Sequence, residues 1–319
     1  MRELQDWCDI PEAYRLAVPM PDASELDLIT IRDWLRYAAS RFGAAGLAYG
    51  HGTSSALDEA AYLILHTLHL PIDQLDPWLD ARLLPAERRA LQDTIEKRIA
   101  TRKPAAYLTN EAWIGGHSFY VDERVIVPRS HIAELLPGLA RHSPRRILDL
   151  CTGSGCLAIL AARAFPAALV DAVDISPAAL AVARRNVGRH RLGRRVKLYR
   201  SDLFAALPGE RYDLILTNPP YVSAAAMAKL PPEYRREPRL ALAGGADGLD
   251  LVARLVAEAP DHLQAAGALI CEIGDGKRAV ERRFSGLRLA WPKPQVFTFQ
   301  PARTARASQT LPSRGARGR

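Results

Sequence analysis

What most constrains the fold lies after Arg145, where short strand-forming runs alternate with helical ones. "RILDL" from residue 146 reads as a strand, and 156–164 as a helix. "LVDAVDI" from 169 is a strand, and 177–187 a helix with Pro177 in its first turn, where a missing N–H costs nothing. "VKLYRSD", "YDLILTN" and "GALICEIG" supply three more strands, and "QVFTF" reads as a final, antiparallel one. Such alternation implies an α/β chain with a doubly wound, mostly parallel sheet. A sheet of that kind takes its ligands beyond the carboxyl ends of its strands, where strand order reverses. Candidate functional residues therefore belong in the loops that follow strands.

The front of the chain has a different rhythm. Leu26, Ile29, Leu35 and Ala38 recur at helical spacing. A second helical run covers 57–70 and stops at Pro71, and a third covers 85–100 with Leu91, Ile95 and Ile99 on one face. A small helical bundle follows. From Ala105 to Pro128, β-branched and aromatic residues surround Gly115-Gly116, as in two strands joined by a tight turn. The expected organisation is a helical substrate-recognition domain over 1–104 and a hairpin linker over 105–130. A catalytic domain over 131–301 and a disordered basic tail over 302–319 complete it.

The 319 residues suffice for one large and one small domain. Net charge is +8, but the last 19 residues carry five Arg and no acid, so the remainder is only mildly basic. That tail either contacts ribosomal RNA or is a solvated extension. No C-x-x-C pair occurs, so no metal site is expected and Cys8, Cys151, Cys156 and Cys271 read as reduced thiols. Acids in the first 30 residues exclude a secretory signal, and no apolar run is long enough for a membrane span, so a cytoplasmic location is expected. The eight His read as surface or hairpin residues without a catalytic part.

Asp149-Leu150-Cys151-Thr152-Gly153-Ser154-Gly155 joins the first of these strands to its helix. Gly153 and Gly155 remove Cβ atoms where backbone must approach a ligand or turn tightly. Asp174 ends the second strand, 21 residues after Gly153, and can accept from two ribose hydroxyls. The third glycine of a pyrophosphate-binding loop is missing, and Asp149 would repel a phosphate. An acid there suits the ammonium group of S-adenosyl-L-methionine, or else caps the next helix. Asp202, ending the third strand, is placed for an adenine amino group, with Leu203 against the ring.

The fourth strand runs into Asn218-Pro219-Pro220-Tyr221. An amide nitrogen is a poor nucleophile because its lone pair is delocalised into the carbonyl. Two acceptors can grip its N–H groups and leave the lone-pair direction free; the Asn218 side-chain oxygen and the Pro219 carbonyl are such acceptors. The prolines bring no competing donor and fix the backbone. Tyr221 can stack on the planar amide. Rate then comes from alignment and placed charge, without a general base.

These residues resemble the amide- and amino-methylating Rossmann-like class I methyltransferases. Within them the chain is similar to the HemK/Prm family of N(5)-glutamine methyltransferases, over roughly residues 25–275. The resemblance implies that Cys151, Thr152, Gly153, Ser154, Gly155, Asp174, Leu203 and Asn218 contact the cofactor, while Asn218 through Tyr221 hold a glutamine. One family branch modifies the Gly-Gly-Gln loop of peptide release factors. The other modifies ribosomal protein L-three of the large subunit. Pro128-Arg129 is followed here by Ser130-His131, and "LPPEYRREPRLALAGGADGLD" is similar to the ribosomal branch. Ribosomal protein L-three, free or in an assembly intermediate, is thus the expected partner. A release factor is the alternative, and a nucleobase exocyclic amine a weaker one, because no base-flipping target domain is evident. The segment "FSGLRLAWPKPQVFTF" lacks the family's glycines, so either a shortened last hairpin or an altered end of the frame is expected.

Overall fold

A computed structural model describes residues 27–301. Leu26, Cys8 and the tail over 302–319, with its RNA contact, lie outside the described residues.

Three helices form the bundle: α1 (Ile31–Ala44), α2 (Ala56–Thr67) and α3 (Pro85–Thr101). Thr30 opens α1 with a capping box, its hydroxyl accepting from Asp33 N at 3.2 Å while Asp33 accepts from Thr30 N at 2.9 Å. That cap starts the helix at Ile31, so Ile29 precedes it and the expected run began too early. Trp34, Phe42, Leu63, Ile64, Leu91 and Ile95 fill the bundle core.

A short helix, α4 (Ala105–Thr109), comes next, then β1 (Glu111–Ile114) and β2 (His117–Tyr120). The expectation of strand from Ala105 is corrected here. Pro104 O accepts from Tyr107 and Leu108 N–H groups, which closes a helical turn over the Ala pair. Gly115 (φ 58°) and Gly116 (φ 74°) make the hairpin turn, where two successive positive φ values are needed.

The remaining elements are α5 (Ile132–Leu135), β3 (Arg146–Leu150), α6 (Cys156–Ala164), β4 (Leu169–Asp174), α7 (Pro177–Arg189), β5 (Val196–Arg200) and β6 (Tyr212–Thr217). They are followed by α8 (Ala224–Ala228), α9 (Asp250–His262), β7 (Leu263–Glu272), α10 (Lys277–Arg283), β8 (Leu289–Lys293) and β9 (Val296–Phe299). The seven strands lie in the order β5-β4-β3-β6-β7-β9-β8, parallel from β5 to β7. β9 runs antiparallel to β7 and to β8, so the glycine-poor segment still builds the closing hairpin. Phe297 is fully buried there.

Helices cover both sheet faces. Ile147 packs with α6, and Leu148 with α9, as alternation along a strand requires. β1–β2 is seated on α7: Tyr120 N donates to Asn186 Oδ1 at 2.7 Å, and Asn186 Nδ2 donates to Tyr120 O at 3.0 Å. β3 sits between β4 and β6, with Leu150 opposite both Val173 and Thr217. The chain leaves β3 toward one edge and returns on its other side at β6. The loops after β3, β4 and β6 therefore converge on one crevice. Among the described residues no helix is long and apolar enough to cross a membrane.

Candidate active site

The loop after β3 is shaped by left-handed residues: Cys151 (φ 58°), Gly153 (φ 55°) and Gly155 (φ 80°). Asp149, fully buried within β3, accepts from Thr152 Oγ1 at 2.5 Å and from Ala158 N at 3.0 Å on one oxygen. It thus ties the loop to the first turn of α6, while its Oδ1 has no hydrogen-bond partner. Burial pushes this carboxyl up to about 7. Asp149, Thr152 and Ser154 are all buried, and none lines the cavity in front of the loop. Gly155 faces α7, where a Cβ would lie 3.2 Å from Ala183 Cβ, so this glycine permits helix packing. Cys151 and Gly153 are the loop residues that line the cavity.

That cavity has a volume of about 430 Å³. Asp174, the last residue of β4, lines it and accepts from Gly153 N and Ser176 N, each at 2.9 Å, one on each oxygen. Burial pushes its carboxyl up, and the two N–H groups oppose that. Asp202 lies two residues beyond β5 and is held at 3.1 Å by both terminal nitrogens of Arg254 from α9. Leu203 is buried below the cavity with φ 46°.

Asn218 follows β6 and lines this cavity together with a second one of about 270 Å³. Pro220 lines the first, and Pro219 and Tyr221 the second. The Asn-Pro-Pro-Tyr segment is therefore a partition between two chambers. Burial pushes the Tyr221 phenol up to about 12, so it stays protonated. Burial likewise raises the Cys156 thiol to about 12, and Cys151 and Cys271 rise for the same reason, which removes thiolate chemistry.

Several residues around the partition escaped the sequence reading. Val222 N donates to Leu242 O and Gly244 N to Val222 O, both at 2.8 Å. A Cβ on Gly244 would stand 2.8 Å from Pro220 O, and one on Gly274 2.7 Å from Tyr221 Cε2. The glycine-rich "LAGGADGLD" was the available signal. Arg129 also lines the second cavity and forms two 2.6 Å bonds to Glu237. His51, expected at the surface, is instead buried 3.6 Å from Glu237 and against the Tyr234 ring. Nearby, Arg98 reaches Glu59 at 2.6 Å and Arg102 reaches Glu233 at 2.9 Å, joining α2 and α3 to the segment after Tyr221.

A doubly wound sheet with a glycine loop, an acid ending the second strand and an Asn-Pro-Pro-Tyr partition defines a Rossmann-like methyltransferase. The family model for the methyltransferase small domain matches residues 132–230. The chain is 57% identical to the ribosomal protein uL3 glutamine methyltransferase of Burkholderia pseudomallei, over 82% of this chain and 90% of that protein. It is 57% identical to the protein of that name from Bordetella pertussis, over 85% and 93%. With the one from Neisseria meningitidis serogroup A it shares 51% identity over 83% and 89%. The chain belongs to this glutamine methyltransferase family, and it is an enzyme of that type.

Proposed function

We propose that the chain transfers a methyl group from S-adenosyl-L-methionine to the side-chain nitrogen of a glutamine in ribosomal protein uL3. The carrying observation is that Asn218 borders two chambers at once and, of the residues shared by both, Ile126, Asn218 and Ala241, is the one whose side chain carries a hydrogen-bonding group. The relatives' shared name supports uL3 as the acceptor.

The residues of the larger chamber fit that cofactor. It carries no phosphate, and the chamber presents carboxylates instead. Asp174 is pre-aimed by two backbone N–H groups and suits a ribose diol. Asp149 stands behind the loop, where its bonds to Thr152 and Ala158 hold the loop's shape. Leu203 gives the adenine an apolar face, and Asp202 stands at the mouth, already paired to Arg254. When bound, the cofactor supplies an electrophilic methyl on a sulfonium.

In the smaller chamber the Asn218 side-chain oxygen and the Pro219 carbonyl accept the two N–H groups of the carboxamide. The nitrogen lone pair is then turned toward the partition and the methyl carbon beyond it. Tyr221, protonated and half-buried, covers the amide plane. The methylated amide is a strong acid while it still holds its extra proton, so it loses that proton to solvent as the product leaves, without a protein base. The bundle within 1–104 serves as the recognition part, coupled by 105–130 to the catalytic unit over 131–301. Its buried ion pairs with Glu233 support that coupling.

The test is incubation with labelled cofactor and two purified acceptors, uL3 and a peptide release factor. Label on a uL3 glutamine, and little on the release factor, is the expected result. Label on the release factor alone, or on nucleic acid, overturns the reading.

A further inference from the structure

Arg129 stands where the glutamine chamber meets a third cavity, of about 470 Å³, that opens along Trp113, Ile114 and Gly115 of the hairpin. Tyr221 borders both spaces as well. The Arg129 guanidinium is immobilised on three sides. Nη1 donates to Glu237 Oε1 at 2.6 Å and to Val127 O at 3.1 Å, and Nη2 donates to Glu237 Oε2 at 2.6 Å. Its carbon lies 5.4 Å from the Tyr234 ring centre. Glu237 is itself fixed, accepting from Val127 N at 2.9 Å, with a side chain wholly shut from solvent. The Arg129 side chain remains 27% exposed.

A guanidinium has five N–H donors, and these three bonds use three of them. The second Nη2–H and the Nε–H remain for a ligand at the junction of the two cavities. Their charge is already matched by Glu237, so the site attracts a neutral acceptor in preference to a phosphate. A donor on the carboxamide oxygen of the target would draw its nitrogen lone pair further into the carbonyl and slow transfer. The useful acceptor is therefore one outside the reacting group.

Resting on the reading of the site given above, we propose that Arg129 is a substrate-binding residue that holds a main-chain carbonyl beside the target glutamine. The pinned fork reads the peptide and anchors the segment that carries the glutamine. Specificity for glutamine within a polypeptide, over free glutamine or a nucleobase, follows from this contact.

Truncating Arg129 alone would strand the buried Glu237 charge and could unfold the chain. The informative variant is the double substitution Arg129→Gln with Glu237→Gln, which keeps a hydrogen-bonded pair and removes both charges together. Full-length wild type and variant are compared for thermal stability, cofactor dissociation constant, and kcat and KM with uL3. The expected result is a KM raised by roughly 10-fold or more, with kcat and cofactor affinity each within about threefold. An unchanged KM in a folded variant overturns the assignment and leaves the function standing. A parallel loss of cofactor affinity also overturns it, because Ile126 and Pro238 wall the cofactor chamber and the pair would then be a strut for that wall. Loss of single-stranded RNA binding with KM for uL3 intact would place a phosphate at Arg129 and overturn it too. If wild type methylates no glutamine, the functional reading and this contact fall together.

Discussion

In the proposed reaction Asn218 and Asp174 serve the two halves of the chemistry and should separate cleanly when replaced. Asn218 borders both chambers, and in the proposed reaction its oxygen is one of two acceptors for the amide. Asn218→Ala is expected to lower turnover roughly 100- to 1000-fold while the cofactor dissociation constant stays within about threefold. Asp174→Ala leaves the Gly153 and Ser176 N–H groups without their acceptor and should weaken cofactor binding by about 10-fold or more. Calorimetric titration with the cofactor, beside rates at saturating cofactor, distinguishes them; a variant at position 218 with wild-type rates would end the proposal. Both positions stand out in the sequence because Asp174 ends β4 and Asn218 directly follows β6. Asp149 looked equivalent, yet it is buried within β3 and bound to Thr152 and Ala158. A one-dimensional pattern gives strand ends but does not say on which side of the backbone a carboxylate lands. Arg129 and Glu237 lie 108 residues apart, so no local spacing could join them.

Among the elements, the partition after β6 owes its shape to a neighbouring segment as much as to its own prolines. Val222 and Ala243 form a parallel bridge, and Gly244 comes so close that a Cβ would meet Pro220 O and Tyr221 Cα, both at 2.8 Å. These are backbone atoms and cannot swing aside. Gly244→Ala should displace the Pro219–Tyr221 backbone, lower kcat by roughly 100-fold and destabilise by about 1–3 kcal/mol. Gly43→Ala in α1 is the control, since nothing lies within 4 Å of its added methyl and alanine is the better helix former. Stability curves and rates for the two variants decide the matter, and a Gly244 variant with full kcat would show that the partition holds itself. The parallel strands were readable because their two-sided burial gives continuous apolar runs. The α4 turn was misread because Tyr107 and aromatic neighbours outweighed Pro104 and two alanines. The glycine grip was missed because its purpose lies in a close approach between segments, which composition alone does not locate.

At the scale of the whole molecule, buried charge joins the bundle to the sheet domain, and this makes the assembly sensitive to acid in a defined window. Glu237 holds Arg129 and Val127 on one side and faces His51 of the bundle on the other. Burial alone would push its carboxyl up, but the bond from Arg129 and the contact with His51 outweigh that and bring it to about 2. Its ordinary value is 4.5, so the folded chain binds this proton less readily than the unfolded one. The stabilisation is therefore complete above 4.5 and is lost as pH falls toward 2, a change of roughly 3 kcal/mol. Asp149 works in the opposite sense, because a folded value near 7 against an ordinary 3.8 withdraws stability as pH rises through that interval. It does so equally in wild type and in Glu237→Gln, and cancels when the two are compared. Urea unfolding at neutral pH should show the variant less stable by a few kcal/mol, and the gap should close between about pH 4.5 and the acid limit of folding. A gap that stays constant across that range would mean that Glu237 binds its proton equally well in the folded and unfolded chain, and that its charge does not join the bundle to the sheet domain.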